Sequence, residues 1–142
     1  LTSKVIYTTL RFRISTYLVA GGKVSENGHI SSAIHLAWRT AKTHVVIANA
    51  WTDSTSLENI DLLRKHFQTQ QLPILEDISG SAAGAYSNEA DVLEEDFKTT
   101  FFGPNYAKLS AMKTKYDPND LFIVGAGVGS ERWYGTHTVR KI

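Results

Sequence analysis

Tyr86 and Asn88 are the residues of this 142-residue chain best suited to chemistry. On an extended segment, residues two apart point to the same face, so a phenol and a carboxamide stand side by side. Such a pair can orient a cofactor ring or a substrate hydroxyl, and a phenol of lowered pKa can take a proton. The same pair also suits a strand whose buried polar groups satisfy one another, because buried Tyr and Asn need partners in any fold. The residue types alone leave both readings open.

Other arrangements carry less. Gly125-Ala126-Gly127-Val128-Gly129 follows an apolar, strand-like run. A dinucleotide fingerprint needs its third glycine three positions after the second, and then a helix facing the pyrophosphate. Here the third glycine comes one position early and little chain follows, so a glycine-rich surface turn is expected. Asp117-Pro118-Asn119-Asp120 offers two acids where calcium wants about six to eight oxygens, and reads as a helix stop. The 5 histidines show no H-x-x-x-H or H-E-x-x-H spacing, so no metal site is expected. His35, between Ile34 and Leu36, reads as a packed or surface histidine rather than a catalyst. Ser130 lacks the second glycine of a G-x-S-x-G elbow, which leaves a hydrolase without a nucleophile. Glu94-Glu95-Asp96 reads as a solvated helix face.

The elements that must position Tyr86 and Asn88 form three stretches. From Leu1 to about Trp51 the chain reads as β, with strands expected at Val5–Tyr7, Phe12–Ala20 and His44–Trp51. Neither face of His44–Trp51 is cleanly polar, which suits a strand covered on both sides. Asn27-Gly28 marks a turn. From about Thr52 to Leu72, the apolar residues Leu57, Ile60, Leu63 and Phe67 recur at helical spacing. Thr55 and Glu58 fit a capping box, and Pro73 is expected to end the helix. Beyond Ile74, Ser79–Ala85 reads as a loop. A short helix is expected to start in the acidic Glu89–Asp96 run and reach about Phe101. A second helix carries Tyr106, Leu109, Met112 and Tyr116 and stops at Asp117.

Composition bounds the function. With 15 Lys+Arg against 14 Asp+Glu, the formal charge is +1, which offers no basic field for nucleic acid. No apolar run approaches the roughly 18–20 residues of a membrane helix. Cysteine is absent, so there is no disulfide framework, no thiolate metal site and no Cys nucleophile. The chain opens on Leu1 with neither Met nor a charged-then-apolar leader, as expected of a piece of something longer.

Several ordered segments are similar to a known family. Gly84-Ala85-Tyr86-Ser87-Asn88-Glu89-Ala90-Asp91 resembles the G-x-Y-x-N-E-A-D signature of berberine-bridge-enzyme-like flavoproteins. Phe102–Leu109 resembles their F/W-G-x-N-Y-x-R-L segment, with Lys108 where Arg is usual. Lys113–Phe122 resembles their K-x-K-Y-D-P-x-x-L-F. Gly127–Trp133 resembles the G-V-G-S-E-x-W ending of the fungal branch, and Ala37-Trp38-Arg39 its A-W-R, with Leu36 in place of the usual Pro. The likeness runs over about residues 17 to 133.

The resemblance implies an α+β fold: part of an antiparallel-sheet substrate domain covered by helices (1–75), then a C-terminal segment (76–142) that returns to an FAD-binding domain. It implies a vanillyl-alcohol-oxidase-like oxidoreductase that passes a hydride from an alcohol, sugar or secondary metabolite to flavin, with oxygen as the usual acceptor. FAD would be held mainly by an N-terminal domain absent from these residues, and the other partners are a small-molecule substrate and the rest of the polypeptide. No nucleic-acid or membrane partner is implied, and many family members are secreted. Tyr86 and Asn88 fall on the Y-x-N near the isoalloxazine ring and are candidate flavin contacts, with Tyr86 also a candidate base. Glu89 stands where many plant members carry a second Tyr. Asn105 and Tyr106 would tie the C-terminal helix to the FAD domain. The alternative is a non-catalytic ligand- or partner-binding α+β module derived from that family. The chain alone is expected to be inactive and poorly soluble, with exposed sheet edges.

Overall fold

The computed structural model describes residues 11–134 and 139–140, which fall into two units. The strand expected at Val5–Tyr7 lies outside the described residues. The first unit combines residues up to Val19 with Thr43–Ala82. Strands β1 (Arg11–Leu18) and β2 (Thr43–Ala50) pair antiparallel, with Ile14 opposite Ile47, Thr16 opposite Val45 and Tyr17 opposite His44. Cross-strand pairs of β-branched and aromatic residues stabilise such a ladder by a few tenths of a kcal/mol each, roughly. Half-burial at His44, Val46, Ile47 and Asn49 corrects the expectation of a strand covered on both sides: no residue of β2 is buried. With two strands in the described sheet, the second cover that the apolar pattern asks for is not supplied.

Helix α1 (Lys23–Glu26) lies between β1 and β2 in the chain and belongs to the second unit, so the helices of the first unit are α2 (Leu57–His66) and α3 (Leu72–Ser79). Ser56, not Thr55, caps α2: its Oγ accepts the Asn59 N–H at 3.3 Å. Thr55 is spent on the preceding turn, where its N–H donates to the Thr52 carbonyl at 2.9 Å and its hydroxyl lies 3.2 Å from that of Thr52. Leu63 is the buried residue of α2, and Arg64, Lys65 and His66 complement the negative end of its dipole. Pro73 does not end the helical run. A π-helical turn, Phe67–Gln71, is inserted before it, and Leu72 N–H donates to the Phe67 carbonyl five residues back. Pro73 then sits in the first turn of α3, where a missing N–H costs nothing. Asn49 Nδ2 donates to Gln71 Oε1 at 3.1 Å, fastening β2 to that turn.

The second unit combines Ala20–Lys42 with the residues from Ala83 onward. It holds α1, 3₁₀ turns at Asn27–His29 and Leu36–Arg39, a π-helical turn at Lys98–Phe102, a 3₁₀ turn at Gly103–Asn105, α4 (Tyr106–Tyr116) and a short ladder of β3 (Trp133–Tyr134) with β4 (Val139–Arg140). The acidic run does not open a helix. Asp91 Oδ1 accepts the Leu93 N–H and Glu94 Oε1 accepts the Asp96 N–H, both at 3.0 Å, so these carboxylates draw the backbone into local turns instead. Leu121–Val124 is likewise not a strand: it bends through the surface with Leu121 and Phe122 each 78% exposed.

The core of this unit is aromatic. Buried Phe101 packs on Phe102 at 6.3 Å between ring centroids, and Phe102 and Phe97 meet Tyr106 at 5.7 and 6.1 Å. These are the separations at which tilted and edge-to-face rings attract. α4 stops where expected. Asp117 accepts the N–H groups of Leu121 (2.8 Å) and Phe122 (3.0 Å), and Lys113 Nζ bonds both Asp117 and the Phe122 carbonyl. The Lys113 contact and the two backbone bonds hold the Asp117 carboxyl down to about 2.

Candidate functional site

Gly84–Asn88 is extended only as far as Tyr86 and then turns, with Glu89 N–H donating to the Tyr86 carbonyl at 2.9 Å. The two side chains nevertheless meet: Asn88 Nδ2 donates to the Tyr86 hydroxyl at 2.9 Å. That bond orients the phenol oxygen, which accepts it. Tyr86 is 46% exposed, and its ring lies 6.1 Å from that of Trp38 at a tilt of 34°. Trp38 comes from the 3₁₀ turn Leu36–Arg39, so the A-W-R and Y-x-N segments are brought together.

Beside Asn88 is an open cleft of about 180 Å³, lined by Ser87, Asn88, Phe101, Phe102 and the Gly125–Gly127 segment among others. Aromatic and backbone walls suit the edge of a flat ring. The volume is below the roughly 300–1,000 Å³ of a pocket that encloses a ligand. The glycine run leads into the 3₁₀ turn Ser130–Arg132, not into a helix that could hold a pyrophosphate. These residues therefore fit one edge of a flavin and not the whole of FAD. Of the residues singled out in the sequence, Asn88 lines this cleft, whereas Tyr86, Asn105 and Tyr106 do not. Asn105 Nδ2 donates to the Ile34 carbonyl at 2.8 Å. Tyr106 donates to Glu131 Oε2 at 2.6 Å, accepts the Gly129 N–H at 3.2 Å and lies under Lys98 Nζ, 5.2 Å from its ring centre. Burial and the Glu131 carboxylate push the Tyr106 phenol up to about 12. Burial raises the Glu131 carboxyl, but the bonds from Tyr106 and Lys98 outweigh it and the net shift is downward.

Residue-type reasoning missed the Asp120 carboxylate, whose side chain is fully buried. It receives Arg132 Nε at 3.1 Å, Arg132 Nη2, and Trp133 Nε1 at 3.0 Å. Gly129, at φ +89°, lies so close to the Arg132 guanidinium that a β-carbon there would collide with it. The signal was present in the Ser130–Trp133 motif, but as spacing without a partner. His35 is held at both ring nitrogens. Its Nδ1 accepts the Ala37 N–H and its Nε2 donates to the Thr99 carbonyl, each at 3.1 Å. It is the packed histidine that the sequence suggested. Among the described residues no three His, Asp or Glu side chains gather to hold a metal ion, and no helix is long and apolar enough to cross a membrane.

Residues 85–129 match the family described as berberine and berberine-like. The chain is 40% identical over 131 residues to an uncharacterized FAD-linked oxidoreductase of Arthroderma benhamiae, covering 92% of this chain and 22% of that protein. It is 36% identical over 110 residues to the VAO-type flavoprotein oxidase VAO615 of Thermothelomyces thermophilus, covering 78% of this chain and 19% of that one. The fold is similar to the crystal structure of the VAO-type flavoprotein MtVAO713 from Myceliophthora thermophila C1. There the TM-score is 0.77 and the identity 29%, over 92% of this chain and 23% of that one. The chain thus spans about a fifth of the length of the curated relatives that it matches.

Proposed function

We propose that this chain, which belongs to the berberine-bridge-like branch of the VAO-type flavoproteins, is the C-terminal portion of an FAD-dependent oxidase and supplies one edge of its flavin site. The observation that carries this reading is Asn88, which lines an aromatic, glycine-walled cleft and donates to the Tyr86 hydroxyl. A flavin bound there supplies the hydride acceptor. Asn88 fixes the Tyr86 hydroxyl, and Tyr86 orients the substrate's alcohol or takes its proton. Trp38 packs against the phenol ring, 6.1 Å away between ring centroids, and supports its orientation. The substrate is a small alcohol, sugar or secondary metabolite, and oxygen is the acceptor that returns the flavin to its oxidised form. The rest of the polypeptide holds the pyrophosphate and adenine, because the cleft is too small to do so.

The test is the full-length protein. Purified, it should show flavin absorbance, and Tyr86→Phe should slow substrate-driven bleaching of the flavin by about 10²-fold, the scale of a lost acid–base group. A full-length protein without flavin bands, or one whose Y86F and N88A variants bleach at the wild-type rate, would overturn the proposal.

A further inference from the structure

The ring of His35 occupies a slot that two glycines leave open. A β-carbon on Gly84 would lie 2.6 Å from His35 Cε1 and Nδ1, and one on Gly103 would lie 2.7 Å from Nε2. Both contacts are shorter than any side chain tolerates, so the imidazole fixes the distance between these two backbone segments. Its bonds reach a third and a fourth: Ala37 at the start of the turn that carries Trp38, and Thr99 in the π-helical turn. The Gly84 segment is pinned to the same π-helical turn by Ala85 N–H donating to the Thr100 carbonyl at 2.8 Å. Asn105 holds the carbonyl of Ile34, the residue before His35. Tyr86 lies two residues beyond Gly84, and Trp38 one residue beyond Ala37.

We propose that His35 is a positioning residue for the flavin-edge site: by wedging between Gly84 and Gly103 it sets the Tyr86 phenol against Trp38. The proposal deepens the function proposed above and rests on it for its kinetic consequence. The hydrogen bonds require the tautomer with the proton on Nε2 and the lone pair on Nδ1. Asparagine can imitate the Nδ1 acceptor but is too short to reach Thr99. Glutamine can reach Thr99 with its amide N–H.

The experiment compares His35→Asn, His35→Gln and Tyr86→Phe, singly and combined, in the full-length protein. Flavin content, flavin-reduction kinetics and near-ultraviolet circular dichroism are measured for each. H35N should keep its flavin and slow reduction by about tenfold, the cost of a misplaced group, with KM changed less than about twofold. H35Q should recover most of the rate. The aromatic dichroism should change in H35N, and that change should vanish in the Y86F background. Wild-type kinetics in H35N would overturn the proposal, as would H35N and Y86F effects that simply add. Loss of folding in both H35N and H35Q would also overturn it, leaving a purely structural histidine. If the wild-type protein carries no flavin, the proposed function fails by itself. The dichroism cycle still decides the positioning role, supporting it when Y86F abolishes the H35N change and overturning it when it does not.

Discussion

Asp120 shows how a single residue organises the C-terminal part of the second unit. It has no exposed side-chain surface, sits at φ +53°, and is the acceptor for both Arg132 and Trp133. Removing one partner of a buried ion pair leaves the other uncompensated. Asp120→Ala should therefore lower stability by about 3–5 kcal/mol in urea unfolding. Arg132→Leu, which removes the charge and keeps apolar volume, should leave the buried carboxylate without its cation, with Trp133 still donating to it, and destabilise as well. Tyr106 makes a pH-dependent contribution at the opposite end of the scale. Its pKa is raised from 10.0 to about 12, so the protonated phenol is the favoured form in the fold. The stability it adds is complete below pH 10 and is lost as pH climbs from there towards 12. Tyr106→Phe should flatten that alkaline limb in a thermal-unfolding series. At this scale the sequence was partly legible. Tyr86 and Asn88 do meet, but through a turn after Tyr86 and not on the extended segment from which their pairing was argued. His35 was read as packed without its partners, and the Asp120 contacts were missed, because each works through a residue distant in the chain, and spacing alone names no distant partner.

At the scale of elements, capping and local hydrogen bonds decide the boundaries. Ser56→Ala should destabilise the first unit by about 1 kcal/mol, the usual cost of a lost N-cap, and Thr55→Ala by less. Circular dichroism during chemical unfolding would rank the two. Asp117, at the other end of the chain, is held at about 2 against an ordinary 3.8. Its depressed pKa contributes stability above pH 3.8, and that contribution is lost as pH falls from there towards 2. Asp117→Asn should remove this part of the acid limb and loosen the Leu121–Phe122 turn. α4 was legible because its apolar repeat and its stop at Asp117 agree. The helix expected to start within Glu89–Asp96 and reach about Phe101 begins only at Phe97 and runs to Phe102, because acidic side chains that can serve a helix N-terminus can equally bond the nearest backbone N–H. Sequence patterns do not weigh those two uses against each other.

For the whole molecule, the fraction of apolar residues and their burial diverge. The chain is 42% hydrophobic, yet Leu63 and Phe101 are the buried hydrophobic residues among those described, while Leu18, Leu57, Leu121 and Phe122 are each 78% exposed or more. Burial of that apolar surface would contribute roughly 25 cal/mol per Å². Left in water, it favours association. The chain expressed by itself should therefore elute as soluble aggregate in size-exclusion chromatography and hold no flavin. A monodisperse monomer with a cooperative melt would count against that expectation. Composition could not show that the apolar fraction exceeds what two small units can bury, because composition counts residues and not contacts.

The extra residue in Phe67–Gln71 also constrains how this chain can change. Deleting one residue, such as Gln70, would restore regular α-helical bonding through the turn, but it would place Pro73 in a helix interior, where its ring meets a backbone carbonyl at a cost of about 3 kcal/mol. Replacing Pro73 first makes the same deletion tolerable. The proline thus makes the insertion hard to reverse, and the order of two mutations decides whether a lineage can return to an uninterrupted helix.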